Sequence, residues 1–327
     1  MKKTVSVAPM MDCTDKHEIY FLSLISKNIH LYTEMIVANA IIRGDKTKLL
    51  SFKKINNPVT LQVGGSNPNE LAEACKISED YGYKEINLNL GCPSKKVQKN
   101  KFGACLMQEP DLVAKCIEAM AKASKLPVTI KTRIGYNDVE NFEFLKSFIQ
   151  TTKDAGSQKF IIHARKALLK KLTPKENLNI PPLKYDFVYK LKDYFRDDEI
   201  IINGGVKTIE EIKNHLTKVD GVMIGRAAEG RPWLINQIKH YLDSGRFVPN
   251  PTAERIKSAV LQHYADILSH YGISPGLRIA RKHLCWYVSG FQGAAKLRAK
   301  LGREENPDTV IALLNDFFNK QFELAAG

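Results

Sequence analysis

Eight short runs of β-branched or other apolar residues, most of them separated by stretches of helical period, restrict the fold of this chain more than any other feature. The runs are Val5–Ala8, Leu31–Ile36, Val59–Val63, Glu85–Asn89, Val128–Lys131, Lys159–Ile162, Glu199–Ile202 and Asp220–Ile224. Helical period fills Pro68–Tyr81, Pro110–Ser124, Val139–Ala155 and Thr208–Leu216. That alternation is expected of parallel strands joined by crossover helices. Eight units over about 240 residues suit a closed (β/α)8 TIM barrel better than an open doubly wound sheet. The first strand is not followed by a glycine-rich dinucleotide fingerprint, so the open sheet loses its usual support.

The pattern breaks at Ser244-Gly245-Arg246 and Pro249-Asn250-Pro251, beyond which only helical period is found. The expected organisation is α/β, a barrel over residues 1–245, then a smaller C-terminal all-α domain over residues 252–327, opening on a helix capped by Thr252. At 327 residues and 44% hydrophobic composition the chain can bury both cores, which excludes disorder as the default. Forty-nine basic against thirty-five acidic residues give a formal charge of +14, pointing to a polyanionic partner, nucleic acid before an acidic membrane. From His270 to Arg303 seven Lys or Arg occur without one Asp or Glu, and His283, Trp286, Tyr287 and Phe291 interleave with them. Cations with aromatics suit a phosphate backbone with unstacked bases. No apolar run reaches membrane-spanning length, and the start Met1-Lys2-Lys3 leads into too short an apolar stretch for a signal peptide, so a cytoplasmic location is expected. The six cysteines show neither CxxC spacing nor an adjacent histidine pattern; reduced thiols and no metal site are expected.

The segment Asn87-Leu88-Asn89-Leu90-Gly91-Cys92-Pro93, followed by Phe102-Gly103-Ala104-Cys105, places a thiol on a tight loop at a strand end. Gly91 permits the turn and Pro93 biases Cys92 toward extended backbone. A nucleophile, for which His163 could serve as base, a redox thiol and a proton donor all remain open for Cys92. A thiol of ordinary pKa, about 8.5, is mostly protonated at neutral pH and can act as a general acid.

In a (β/α)8 barrel the reactive groups sit at the C-terminal strand ends. Those ends carry Gln62, Asn89, Lys131 with Arg133, His163 with Arg165, Asn203, and Gly225-Arg226. Each alone has a packing explanation; the set does not. Asn203-Gly204-Gly205 and Gly225-Arg226 follow strands seven and eight, where barrels bind phosphate through backbone N–H groups. A phosphorylated cofactor or substrate is expected.

Taken in order, Ala8 to Asp15, Leu61 to Gly65, Asn87 to Pro93 with Phe102-Gly103-Ala104, Lys131-Thr132-Arg133, Ile162 to Arg165, Asn203-Gly204-Gly205 and Gly221 to Arg226 make the whole chain resemble the tRNA-dihydrouridine synthases, flavoproteins that reduce specific uridines in tRNA. His163 to Ala167, Leu172 to Asn177 and Ile180 to Leu183 resemble the A-type branch, which acts on U20 and U20a of the D-loop. The resemblance implies FMN held by Pro9, Met10 and Met11 beneath the ring, by Gln62, Lys131 and His163 around it, and by Asn203, Gly204, Gly205, Gly225 and Arg226 at the phosphate. It implies Cys92 as proton donor, Asn89 near the uracil, and Arg165, Lys175, Arg281 and Arg298 toward tRNA. NADPH is the implied electron donor, using the same open face before tRNA binds, with no obligate protein partner.

Three other classes fit parts of the pattern. An FMN ene-reductase acting on a small enone shares the barrel but needs no basic helical domain. A Schiff-base aldolase explains Lys131 at a strand end, and a non-catalytic RNA-binding protein explains the charge alone.

Overall fold

The computed structural model describes residues 3–27, 29–170, 172–246, 248–249, 251–288 and 291–326, with side chains as far as Gln321. Met1 and Lys2 of the N-terminal start and Asn250 of the linker lie outside the described residues. Two compact units are distinguished. The first comprises residues 1–14, 29–52 and 57–225; the second comprises 15–28, 53–56 and 226–327.

The first unit is the expected barrel. Its strands are β1 (Thr4–Val7), β2 (Leu31–Tyr32), β3 (Ile36–Val37), β4 (Val59–Gly64), β5 (Glu85–Leu90), β6 (Val128–Arg133), β7 (Lys159–His163), β8 (Glu199–Asn203) and β9 (Gly221–Ile224). All pair in parallel, in the order β1-β9-β8-β7-β6-β5-β4-β2, with β3 also on β4. A parallel bridge between Ser6 and His30 links the two ends of that order, leaving eight staves in the ring. The run Leu31–Ile36, expected as one strand, is two short ones. Between them the Thr33 hydroxyl accepts from the Gln62 amide at 3.0 Å and the Glu34 amide turns to the Thr14 carbonyl at 3.1 Å, so the ladder is interrupted.

In β5 the alternation Glu-Ile-Asn-Leu-Asn-Leu puts Ile86, Leu88 and Leu90, all fully buried, on the face opposite Glu85, Asn87 and Asn89. The polar face looks into the barrel, where its groups must find partners. At the base, Glu85 accepts from the Tyr32 hydroxyl at 2.9 Å and from Lys159 at 2.7 Å. Burial opposes the charge of Glu85, but His30 and Lys159 hold its pKa below the ordinary value. Above this plug, Ala8, Tyr32, Ile161, Ile201 and Met223 form an apolar layer. The open end of the barrel is therefore the one where the strands finish.

The second unit is helical. The helix Lys16–Ile25, capped by the Asp15 carboxylate through the His17 and Glu18 amides, packs on Ala253–Tyr271 and stacks Phe21 on Tyr287 of Ile273–Tyr287, 3.8 Å between centroids. Thr252 caps the helix that follows it, as expected. At the centre His283 sits between two carboxylates, Nδ1 3.1 Å from Glu18 and Nε2 3.4 Å from Asp15, while Lys282 donates to Asp15 at 2.8 Å and Tyr287 to Glu18 at 2.9 Å. Burial works against the charge of His283, but the two carboxylates raise its pKa.

This corrects the reading of His270–Arg303 as one continuous basic and aromatic face. His283 and Tyr287 are completely buried, and Lys282 is neutralised by Asp15 from far upstream. Ala280, His283, Leu284 and Tyr287 fall on the 3.6-residue stripe that faces the core. Among the described residues no helix is long and apolar enough to cross a membrane.

Candidate active site

Carboxamides organise the mouth of the barrel. Asn89 donates from Nδ2 to Gln62 Oε1 at 2.8 Å, Gln62 donates to Asn87 Oδ1 at 2.8 Å, and Asn87 donates to Thr129 Oγ1 at 2.9 Å. The other end of Asn89 faces the cysteine loop: its Oδ1 accepts from the Gly91 amide at 3.1 Å and the Cys92 amide at 3.0 Å. Asn89 thus sets the turn that presents Cys92. Asn87 and Thr129 were not among the expected site residues, although Asn87 lies two residues before Asn89 in an alternating strand and so shares its face.

The Cys92 carbonyl accepts from the Ala104 amide at 2.9 Å. Gly103, at φ +76°, lies so close that a Cβ there would come within 2.6 Å of the Cys92 carbonyl oxygen. Phe102, Ala104, Leu106 and Met107 are buried, so the segment after Cys92 is docked onto the barrel. Cys92 itself is half-buried. Burial pushes its thiol pKa up, against the Ser94 amide and the charges of Arg133 and Lys131, which pull it down. The protonated thiol is the resting form at neutral pH.

Lys131 projects to the same mouth and donates to Asn203 Oδ1 at 3.0 Å. Asn203 in turn donates to the Met223 carbonyl at 2.8 Å, so its carboxamide orients the lysine. Burial and the neighbouring Arg133 charge lower the Lys131 pKa to about 7, with Cys92 acting in the opposite sense. A cation so poorly solvated favours any anionic group placed beside it.

His163, paired in register with Arg133 and Asn203, is buried against the turn after β8. Gly204 adopts φ +117°, and a Cβ there would stand 2.6 Å from His163 Cδ2; Gly205 adopts φ +74° under Leu183 and Tyr185. By contrast the space around Gly225, after β9, is open apart from Met10 Sδ at 3.8 Å and the Ala8 Cβ. Met10 packs against the apolar layer, its amide and carbonyl tied to the Thr14 hydroxyl, while Met11 is 56% exposed. Pro9 precedes them in the same partly exposed loop. Arg226 opens a short helix as the first residue of the second unit, where the chain passes from one unit to the other.

Arg133 is fully buried and spans two loops. Its Nε donates to the Gly91 carbonyl at 2.8 Å, and its Nη1 donates to the Lys166 and Asn177 carbonyls at 3.1 and 3.2 Å. Asn177, also absent from the expected set, ties the loop after β7 through Leu168, Leu172 and Thr173. Local sequence carries no signal for that role. Arg165 donates to the Asn179 and Pro181 carbonyls of the same loop, and Lys175 stands exposed on it. In the second unit Arg281 donates to the Glu304 carbonyl at 2.7 Å, and Arg298 lies half-exposed in the helix Ala294–Leu301.

A strand-end mouth that carries an undissociated thiol, a lysine held by Asn203 and a glycine-rich turn is suited to a phosphorylated cofactor and a proton transfer. A family model described as Dihydrouridine synthase (Dus) matches residues 6–322. A protein of Synechocystis sp. named tRNA-dihydrouridine(20/20a) synthase is 53% identical over 230 residues, 70% of this chain and 69% of its own. Proteins of the same name from Shewanella oneidensis and Vibrio parahaemolyticus are 44% and 42% identical, over 92% and 97% of this chain and 88% and 96% of theirs.

Proposed function

The chain belongs to the dihydrouridine synthase family, and on that premise we propose that it reduces uridines 20 and 20a of the tRNA D-loop to 5,6-dihydrouridine, in the cytoplasm, with FMN as cofactor and NADPH as electron source. The residues suit the flavin. Gly204 and Gly205 form a turn that no side chain could enter without striking His163 or Leu183, whereas a Cβ at Gly225 would meet only Met10 Sδ and the Ala8 Cβ, at ordinary contact distance. Pro9, Met10 and Met11 would lie beneath the ring, Gln62, Lys131 and His163 around it, and Asn203, Gly204, Gly205, Gly225 and Arg226 at the phosphate. When bound and reduced, the flavin supplies hydride to C6 of the uracil.

The chain's own contribution is acid catalysis and placement. Cys92 Sγ gives its proton to C5 from the other side of the base; a thiol kept protonated by burial is matched to that task. Lys131 compensates negative charge at the ring, and the Asn89 turn fixes where the thiol stands. A base can be reached from both faces only when extruded from the stack, at a cost of a few kcal/mol that RNA contacts must offset. We assign those contacts to Arg165 and Lys175 on the barrel unit and to Arg281 and Arg298 in the helical domain, residues 252–327. NADPH has no separate nucleotide fingerprint in the sequence and enters by the same face before tRNA.

The single observation that carries this reading is that Cys92, held by the Asn89 turn, and Lys131, held by Asn203, come to the same strand-end mouth. The test is NADPH-dependent dihydrouridine formation on unmodified tRNA by wild type and Cys92→Ala. Product formation should fall at least about a hundredfold in the variant, with flavin reduction by NADPH unchanged. Turnover of free uridine or a small enone without RNA would instead favour an ene-reductase.

A further inference from the structure

Resting on the tRNA reading, we infer that the barrel unit carries an RNA-backbone docking surface of its own, in which Lys95, Lys96, Lys99, Lys101 and Lys170 join the already assigned Lys175 at the rim beside Cys92. The first four fall within seven residues, and no Asp or Glu occurs from Gly91 to Gln108. All six are exposed, and none takes part in an ion pair among the described residues. Two neighbours differ instructively: Lys166 and Lys184 both pair with Glu140, at 3.3 and 3.1 Å. The loop after β7 therefore neutralises the lysines near its two ends and leaves Lys170 and Lys175 unneutralised.

The two lysine-bearing segments are held as one platform. Gln98 Nε2 donates to the Pro93 carbonyl at 2.8 Å and to the Leu169 carbonyl at 2.9 Å, joining the segment after β5 to the loop after β7. Beneath them Ala104, Ala167 and Leu169 pack with Cys105 and Tyr136. Val97 turns inward and anchors the short helix Lys95–Lys99, so its lysines point to solvent. The platform holds Cys92 itself through the Ala104 amide. Phosphates flanking an extruded nucleotide must come to the rim of the cavity that receives the base, and contacts to the backbone position a nucleic acid without reading its sequence.

The test measures tRNA affinity of the FMN-loaded full chain as a function of salt. The variant combines Lys95→Ser, Lys96→Ser, Lys99→Ser and Lys101→Asn, the last because φ at Lys101 is +57° and asparagine tolerates it. Its comparison is Lys84→Ser with Lys125→Ser and Lys218→Ser, exposed lysines that each precede a strand and so lie at the opposite end of the barrel. The rim variant should bind tRNA about tenfold or more weakly near 0.15 M salt, and the slope of log K against log salt should shrink by about 0.7 per lysine. The base-of-barrel variant should change neither, and a rim variant with arginine at the four positions should keep the wild-type slope. Equal losses from both lysine sets would overturn the surface in favour of a general field of the +14 chain. An unchanged slope in the rim variant, with dihydrouridine still formed by wild type, rejects the surface and leaves the proposed reaction standing. Lysine-dependent tRNA binding by a wild type that forms no dihydrouridine does the reverse. Rim-dependent binding of polyglutamate without rim-dependent binding of tRNA would replace the RNA by an acidic protein.

Discussion

Arg133 Nε stands 2.8 Å from the carbonyl oxygen of Gly91, so a fully buried guanidinium holds the residue next to Cys92. Lysine in its place cannot span the carbonyls of Gly91, Lys166 and Asn177 from one ammonium. Arg133→Lys should cost at least about 3 kcal/mol, since buried acceptors lose their donors. Urea unfolding of the full chain measures that loss. Alkylation of Cys92 by iodoacetamide in the variant should be faster at a given pH, because the loop that buries the thiol is freed.

Asn89→Ala removes the acceptor of the Gly91 and Cys92 amides and the donor to Gln62 in one step. A loss of about 1 to 3 kcal/mol is expected for the groups left unpaired. Amide hydrogen exchange at Gly91 and Cys92 should quicken while exchange in β7 and β8 stays as in wild type. Unchanged exchange at those two amides would show that the turn holds without Asn89.

Lys131 makes stability depend on pH in a defined window. With a folded pKa of about 7 against 10.5 in the unfolded chain, the unfolded state binds more protons between those values, so stability rises as pH increases through the window. Lys131→Met should remove that rise. Urea midpoints of flavin-free protein at pH 6.5 and 9.5 give the comparison: wild type should gain on the variant toward the higher pH. Parallel midpoints would place the lysine in a solvated setting. An anion beside Lys131 favours its charged form, so affinity for such a ligand should weaken as pH rises past about 7.

Gly204→Ala introduces a Cβ at φ +117° and 2.6 Å from the His163 ring. Strain of about 1 to 3 kcal/mol is expected. Because the ring must move, flavin content of the purified protein should fall well below that of wild type. Gly225→Ala, where the space is open, should fold normally and serves as the comparison.

The barrel was legible because its evidence is local: the strands announce themselves by β-branched or other apolar runs and most crossovers by period. The break between β2 and β3 was not, since it depends on Thr33 and Glu34 meeting Gln62 and Thr14, residues remote in sequence. Cys92, Lys131 and Asn203 could be picked out by type and position at strand ends. What Asn89 and Arg133 touch could not, for a carboxamide or guanidinium at a strand end can face a ligand or a backbone equally well. For His283 and Tyr287 the signal was present: their spacing with Ala280 and Leu284 marks a buried stripe, and it outweighs the nearby cations. The counter-charge of Asp15 lies 267 residues from Lys282 and leaves no mark on the local composition.

The helix Lys16–Ile25 belongs with the second unit although it is written between β1 and β2. On the ribosome it emerges early, carrying Asp15 and Glu18, while Lys282, His283 and Tyr287 are still untranslated. Chain growth therefore passes through a long interval in which the nascent polypeptide holds an amphipathic segment with two acids awaiting their cations. Circular permutation offers a route around that interval: a chain in which residues 15–28 are synthesised next to the C-terminal helices should complete the helical unit without waiting.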